Sequence, residues 1–185
     1  MDFEEKTISR KQIFKGKIID VELDEVELPN GLGTSTRELV FHPGGVGVLA
    51  VTDNRNIVMV RQFRKALERV IYEIPAGKLE AGEKSDLSSA ILREMEEEIG
   101  FTTENIQKIA EFYVSPGFTN EKTTIFLAEN LVKVSNPKPQ DPDEVLEIHE
   151  LSLDEAKELI STGEIDDAKT IIALQYYELK GLQNG

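Results

Sequence analysis

The chain has 185 residues, enough for one domain of ~150 residues with a modest addition. It has no cysteine, which excludes disulfides, thiolate metal sites, iron–sulfur clusters and a cysteine nucleophile, and its two histidines, His42 and His149, are too few for a multi-histidine metal centre. With 21 Lys and Arg against 35 Asp and Glu the formal charge is −14, which disfavours nucleic acid and anionic membranes as partners and requires bound metal or local arginines before an anionic substrate can approach. Met1 to Lys11 lack the apolar core of a signal peptide, and no apolar run approaches the ~18 residues that span a bilayer, so a cytoplasmic location is expected.

Residues 1–45 read as strands. Lys17–Leu23 and Glu25–Leu28 alternate in part, Pro29-Asn30-Gly31-Leu32-Gly33 is a turn, and Thr36–Phe41 resumes an extended pattern before His42-Pro43-Gly44-Gly45 breaks it. This predicts a small antiparallel unit of three strands, marginal alone, that needs something to pack on, such as a partner subunit. The region 46–185 differs in character. Val46–Val51 is almost wholly apolar, as in a strand buried on both faces, and Ile57–Val60 follows as a second strand after the Asp53–Asn56 turn. Glu73–Gly77 leads into a loop. Asp86–Ile99 is the clearest helix: Asp86 is its N-cap, Gly100 its terminator, and Leu87, Ile91, Met95 and Ile99 recur every fourth residue with Leu92 beside them. Strands are predicted at Ile106–Val114, Thr123–Val132 and Val145–Leu151, with a proline-rich loop, Ser135–Pro142, between the last two. Ser152-Leu153-Asp154-Glu155 has the form of a capping box opening a helix to about Ser161, and a last helix runs from about Asp167 to Leu182. Strands with few, scattered helices predict an α+β fold with a mixed sheet.

The segment from Gly77 to Phe101 carries the chemistry. Glu94, Glu97 and Glu98 stand at i, i+3 and i+4 and share one helix face. Each like-charge pair at this spacing destabilises a helix by ~0.2–0.5 kcal/mol. Arg93 reaches Glu97 at i+4 but neutralises only one carboxylate. A hard divalent cation is the simplest compensation, because Mg²⁺ prefers carboxylate oxygens and keeps waters for substrate phosphates; a solvated acidic face is the alternative. Gly77 and Gly82 in the preceding loop allow close backbone approach, and Glu80 and Glu83 add further oxygen ligands.

These residues resemble the signature of the Nudix hydrolases, which has a Gly, five residues, a Glu, seven residues, then Arg-Glu-apolar-any-Glu-Glu-any-Gly-apolar. Gly77 and Glu83 fit the first half, and Arg93-Glu94-Met95-Glu96-Glu97-Glu98-Ile99-Gly100-Phe101 fits every specified position of the second. Nine residues, Lys84–Leu92, separate the halves where the pattern has seven, which a two-residue insertion near Lys84-Ser85-Asp86 explains. The resemblance implies an α/β/α sandwich around the mixed sheet, with the small β unit at its N-terminus. It also implies Mg²⁺, with Mn²⁺ as the alternative, held by Glu94, Glu98 and the Ala76 carbonyl. Glu83 would bind through water or support the loop, and Glu97 would be a further ligand or orient the site with Arg93. In the ADP-ribose pyrophosphatase branch a proline stands about fifteen residues past the signature. Pro116 lies fifteen beyond Phe101, within Ser115-Pro116-Gly117-Phe118, which implies Pro116 and Phe118 as substrate contacts; an ordinary turn is the plain alternative. The N-terminal unit also looks like that branch, in which it swaps onto a partner subunit and helps to bind adenine and ribose, so a homodimer is implied.

Arg37 and Arg64 resemble positions where the family contacts substrate, since a guanidinium binds phosphate bidentately or stacks on adenine; a surface salt bridge is the alternative for each. Strand alternation puts Arg61 on the opposite face from Arg64. The family often draws its catalytic base from a late loop, here Asp141-Pro142-Asp143-Glu144. Some relatives have Glu where Pro142 stands, and proline cannot serve; Glu144 resembles the glutamate found more widely in the branch, which implies Glu144 as base or extra metal ligand, with Asp143 second, and an acidic solvated loop is the alternative for Asp141 and Asp143. His42 reads as a surface or capping residue and His149 as a solvent-facing strand residue. The implied activity is Mg²⁺-dependent hydrolysis of the diphosphate of ADP-ribose to AMP and ribose 5-phosphate. The alternatives are a nucleotide sugar such as GDP-mannose, a dinucleotide, or a non-catalytic nucleotide sensor; retention of every signature carboxylate argues against the last.

Overall fold

The computed structural model describes residues 3–140 and 144–184; Asp141, Pro142 and the second candidate base Asp143 lie outside the described residues. The chain divides into two units. One takes the residues up to Gly44 together with Tyr113–Lys122, and the other takes Gly45–Phe112 and the residues from Thr123 onward.

The first unit is an antiparallel sheet of β1 (Lys6–Lys15), β2 (Asp20–Glu27) and β3 (Thr34–Phe41), in that order. Its composition differs from the expectation. β1 lies ahead of both strands expected first, and Lys17–Leu23 and Glu25–Leu28 are largely one strand, β2. All ten residues of β1 are exposed, so no buried face imposes a period-two pattern on its sequence. Asp24 on β2 is buried and accepts from Arg10 Nε and Nη2, both at 2.8 Å, and from Thr7 at 3.2 Å. The Tyr113–Lys122 segment joins β3: the Val40 N–H donates to the Phe118 carbonyl at 2.8 Å, and the Asn120 N–H to the Val40 carbonyl at 3.2 Å. His42 acts as a cap, its Nδ1 accepting from the Gly44 N–H at 3.1 Å.

The second unit contains, in chain order, β4 (Gly45–Val51), β5 (Ile57–Arg64), β6 (Arg69–Glu73), β7 (Ala76–Lys78), α1 (Leu87–Glu94), β8 (Phe101–Thr102), β9 (Asn105–Tyr113), β10 (Lys122–Glu129), β11 (Val132–Lys133), β12 (Leu146–Leu151), α2 (Leu153–Thr162) and α3 (Ala168–Asn184). Among the described residues a seven-stranded sheet runs β12-β5-β4-β10-β9, with β6 on β5 and β7 on β4. β4 is parallel to β10 and antiparallel to β5, so the sheet is mixed, as expected. The apolar run of β4 is buried on both faces because layers cover both. Val46, Val48 and Ala50 pack with Ala90, Ile91 and Met95, while Leu49 and Val51 pack with Ala156, Ala173 and Leu174. The result is an α/β/α sandwich. Among the described residues no helix is long and apolar enough to cross a membrane.

β6 and β7 were not expected. β7 has three residues of low strand propensity, and it pairs with Gly45–Gly47 of β4, where the backbones approach closely: a Cβ on Gly45 would meet the Gly77 carbonyl at 3.2 Å. The signature helix starts as predicted. The Asp86 carboxylate accepts from the Ser89 N–H at 3.1 Å and the Ser89 hydroxyl at 2.6 Å. Asp86→Ala is expected to lower stability by ~1 kcal/mol, read as a lower denaturant midpoint with an unchanged slope. After Glu94 the helix continues as a π-helical turn over Met95–Ile99, which Gly100 ends at φ 71°. The Ser152/Glu155 capping box opens α2 as expected.

Candidate active site

The carboxylates are placed by α1 and its π turn. Glu94 is 7% exposed and Glu98 2% exposed, where unpaired acids are rarely found. A π turn re-aims the side chains that follow it, and such turns recur at functional sites. Glu98 Oε2 accepts from the Ala76 N–H at 2.9 Å, which ties the π turn to β7. Glu94 lies against Gly77 so closely that a Cβ there would fall inside its carboxylate. Close approach, rather than an unusual φ, is what glycine provides here, since any Cβ would push the Glu94 carboxylate out of its place.

Arg93 is the hub. Its Nε and Nη2 donate to Glu83 at 3.0 and 3.1 Å, and its Nη1 lies 2.9 Å from both Glu97 and Glu94. These partners hold the guanidinium charged far above its usual range. Glu83 in turn accepts from the Glu80 N–H at 2.7 Å, and its carboxyl is held low, first by Arg93. A 3-10 turn over Glu83–Ser85 sits between the two halves of the motif, and Glu83 still reaches Arg93 across the longer spacing.

Electrostatics single out the buried pair. Burial pushes Glu94 up to about 7; Arg93 opposes this, and the charges of Glu97 and Glu144 add to it. Burial pushes Glu98 up to about 8, opposed by the Ala76 N–H and Arg64 and reinforced by Glu144 and Glu94. Glu144 is exposed, yet its charge is felt at both groups. Among the described residues no three carboxylates converge on one point. The donor set of two buried, under-compensated carboxylates nevertheless suits Mg²⁺, which is commonly held by one or two carboxylates and completes its sphere with water and phosphate oxygens.

Arg64 ends β5 and grips Glu73, with Nε to Oε1 at 2.5 Å and Nη2 to Oε2 at 2.9 Å. Arg61 faces the other way, pairing with Glu147 at 2.9 Å. His149 is half-buried, edge-on to the Tyr72 ring at 5.1 Å and 3.5 Å from Glu147, rather than wholly in solvent. The remaining predicted contacts belong to the first unit. Pro116 and Phe118 line an apolar groove of about 330 Å³ with Leu39, Phe41 and Tyr113. Arg37 is not in its lining; its guanidinium is taken by Glu5 at 2.8 and 2.5 Å, by the Ser35 hydroxyl at 3.0 Å and by the Thr36 carbonyl at 2.9 Å.

Sequence reasoning missed three features of the site. Glu73, at the end of β6, is 2% exposed, and Lys169 of α3 closes on it from ninety-six residues away. The proline-rich loop is tied to the π turn, with the Lys138 N–H donating to Glu96 at 3.1 Å and Gln140 Nε2 to the Glu98 carbonyl at 3.3 Å. No periodicity announces contacts at such separations.

Comparison with known proteins bears on what the site does. The NUDIX domain family matches residues 41–174, and the nucleoside diphosphate sugar hydrolase N-terminal domain matches residues 5–40. The ADP-ribose pyrophosphatase of Bacillus subtilis (strain 168) is 52% identical over 177 residues, covering 96% of this chain and 94% of that protein. The methanol dehydrogenase activator of Bacillus methanolicus is 48% identical over 178 residues, covering 96% and 95%. A crystal structure of an ADP compounds hydrolase matches 98% of this chain and 96% of its own at a TM-score of 0.85 and 19% identity, a likeness of fold.

Proposed function

The chain belongs to the NUDIX family of hydrolases, and on that footing we propose that it hydrolyses the diphosphate of ADP-ribose to AMP and ribose 5-phosphate. The observation that carries this reading is the pair of buried carboxylates, Glu94 and Glu98, whose charge has too little compensation within the chain. Glu94, Glu98 and the Ala76 carbonyl would hold a divalent cation, Mg²⁺ or in its place Mn²⁺. Such a cation neutralises a diphosphate and lowers the pKa of bound water. The chain's own residues do the rest. Arg93 keeps Glu83 and Glu97 in register beside the pair. Glu144 takes the proton of the attacking water or serves as a further ligand. Arg64 binds phosphate, and Arg37, Pro116 and Phe118 contact the remainder of the substrate. In this reading residues 1–45 serve dimerisation and substrate contact, 46–185 form the catalytic domain, and the enzyme is a cytoplasmic homodimer exchanging its N-terminal strands. The match of residues 5–40 to a nucleoside diphosphate sugar hydrolase domain favours a nucleotide sugar as the second reading.

One experiment separates these. The protein is incubated in ¹⁸O-labelled water with ADP-ribose, GDP-mannose or a dinucleotide, each with Mg²⁺, with Mn²⁺ and with a chelator, and the products are weighed. The expected result is AMP and ribose 5-phosphate with a single ¹⁸O between them, higher kcat/KM for ADP-ribose than for the other substrates, and no turnover under chelation. ADP-ribose binding with no AMP released in either metal would replace the enzyme by a sensor.

A further inference from the structure

Glu73 is a charged side chain almost wholly enclosed by the second unit, and no step of the proposed chemistry uses it. Burial would push it towards the neutral form, but Arg64 and Lys169 together keep its carboxyl below the usual carboxylate range. A buried ion of this kind is costly unless its partners satisfy it fully. Its partners here do more than neutralise it. Arg64 binds Glu73 through Nε and Nη2, the side edge of the guanidinium. Among the described residues the end edge, Nη1 and the outer hydrogen of Nη2, makes no hydrogen bond, and paired N–H donors of this kind match phosphate oxygens. The guanidinium also lies within electrostatic reach of Glu98. Were the Glu73 anchor removed, Glu98 and its neighbours would compete for Arg64 and draw it onto the carboxylates meant for a cation.

The anchor is braced from behind. Lys169 Nζ closes on Glu73 and also pairs with Asp167 at 2.9 Å. Asp167 accepts from the Thr170 N–H at 3.1 Å and its hydroxyl at 2.6 Å, and Thr170 Oγ1 accepts from the Ile74 N–H at 3.0 Å. Glu73 and Ile74 are thus fixed to the first turn of α3, while Ala76, two residues on, is fixed to Glu98 of the π turn.

We propose that Glu73, backed by Lys169, is a positioning residue: it holds the Arg64 guanidinium by its side edge and so presents the end edge to the substrate diphosphate. This rests on the reading that the site takes a diphosphate, and the test keeps the two apart. A double-mutant cycle of Glu73→Gln and Arg64→Ala is run with Mg²⁺ on whichever diphosphate the wild type hydrolyses best, alongside thermal melts. Glu73→Gln is expected to lower kcat/KM ~10–100-fold, mostly through KM, and Arg64→Ala to lower it at least as much. The double variant is expected to be no worse than Arg64→Ala alone, because the first residue acts through the second. If Glu73→Gln does not fold, Glu73→Asp takes its place, since it keeps the charge but shortens the reach; the same non-additivity is expected. A Glu73 variant that costs the same factor with and without Arg64, or that leaves KM and kcat unmoved, overturns the proposal while the hydrolase reading survives. A wild type inactive on every diphosphate overturns both.

Discussion

Glu98→Gln is expected to abolish hydrolysis and, at pH 8, to make the metal-free protein more stable than the wild type. The amide keeps the shape of the side chain and an oxygen to accept from the Ala76 N–H, but it carries no charge into a site that is 2% exposed. Losing several kcal/mol of cation-assisted stabilisation corresponds to a rate loss of ~10³-fold or more. The stability effect follows from the direction of the shift. Burial raises Glu98 from 4.5 to about 8 and Glu94 from 4.5 to about 7, so between these values the native state holds protons that the unfolded chain has already released. Their contribution is therefore present below pH 4.5 and is lost as pH rises through 7 and 8. In a chelator the wild-type melting temperature should decline over that window, and the Gln variant should gain ~2 kcal/mol at the alkaline end. Added Mg²⁺ should restore the wild type alone. Parallel melts of the two proteins across pH, with and without Mg²⁺, check this; near-wild-type turnover in the variant would show that Glu98 is not a cation ligand.

Gly77→Ala is expected to separate activity from stability in a different way. Gly77 is not in the left-handed region, so the backbone accepts alanine, but the new Cβ falls inside the Glu94 carboxylate. That carboxylate is the end of a flexible side chain and can swing aside, so the fold should lose only ~1 kcal/mol, or ~2–4 °C. The donor set is then displaced by more than an ångström, a change that can cost ~10²-fold in rate. The measurement is kcat/KM across a Mg²⁺ titration beside a thermal melt. A variant that keeps wild-type activity at low Mg²⁺ would mean that Glu94 does not act from the position it holds.

The parts of this protein that sequence made legible are those where one local rule acts alone. α1 was readable because Asp86, Gly100 and the spacing of Ile91, Met95 and Ile99 agree with one another. β4 was readable because covering layers on both faces leave a continuous apolar run. The pairing of Arg93 with Glu97 followed from helical spacing. What stayed hidden depends on distant partners or on backbone. β1 writes no alternation because neither of its faces is buried. β7 exists because the glycines of β4 let another backbone approach. The π turn cannot be told from an α turn in a run of three glutamates, Glu96–Glu98. Glu73 reads only as the start of a segment leading into a loop, because Arg64 and Lys169, which close over it, come from elsewhere in the chain.

β1 has a consequence for solubility. It lies at the edge of the first unit's sheet, so one side of a ten-residue backbone ladder is unpaired among the described residues, with Ile8, Ile13 and Phe14 exposed along it. Such an edge is a template on which foreign chains can nucleate. Lys6, Lys11 and Lys15 stand on that strand, while Arg10 is committed to Asp24 on β2. Charges of this kind on an edge strand disfavour strand-on-strand aggregation. Acetylating Lys6, Lys11 and Lys15 is therefore expected to increase self-association through this edge.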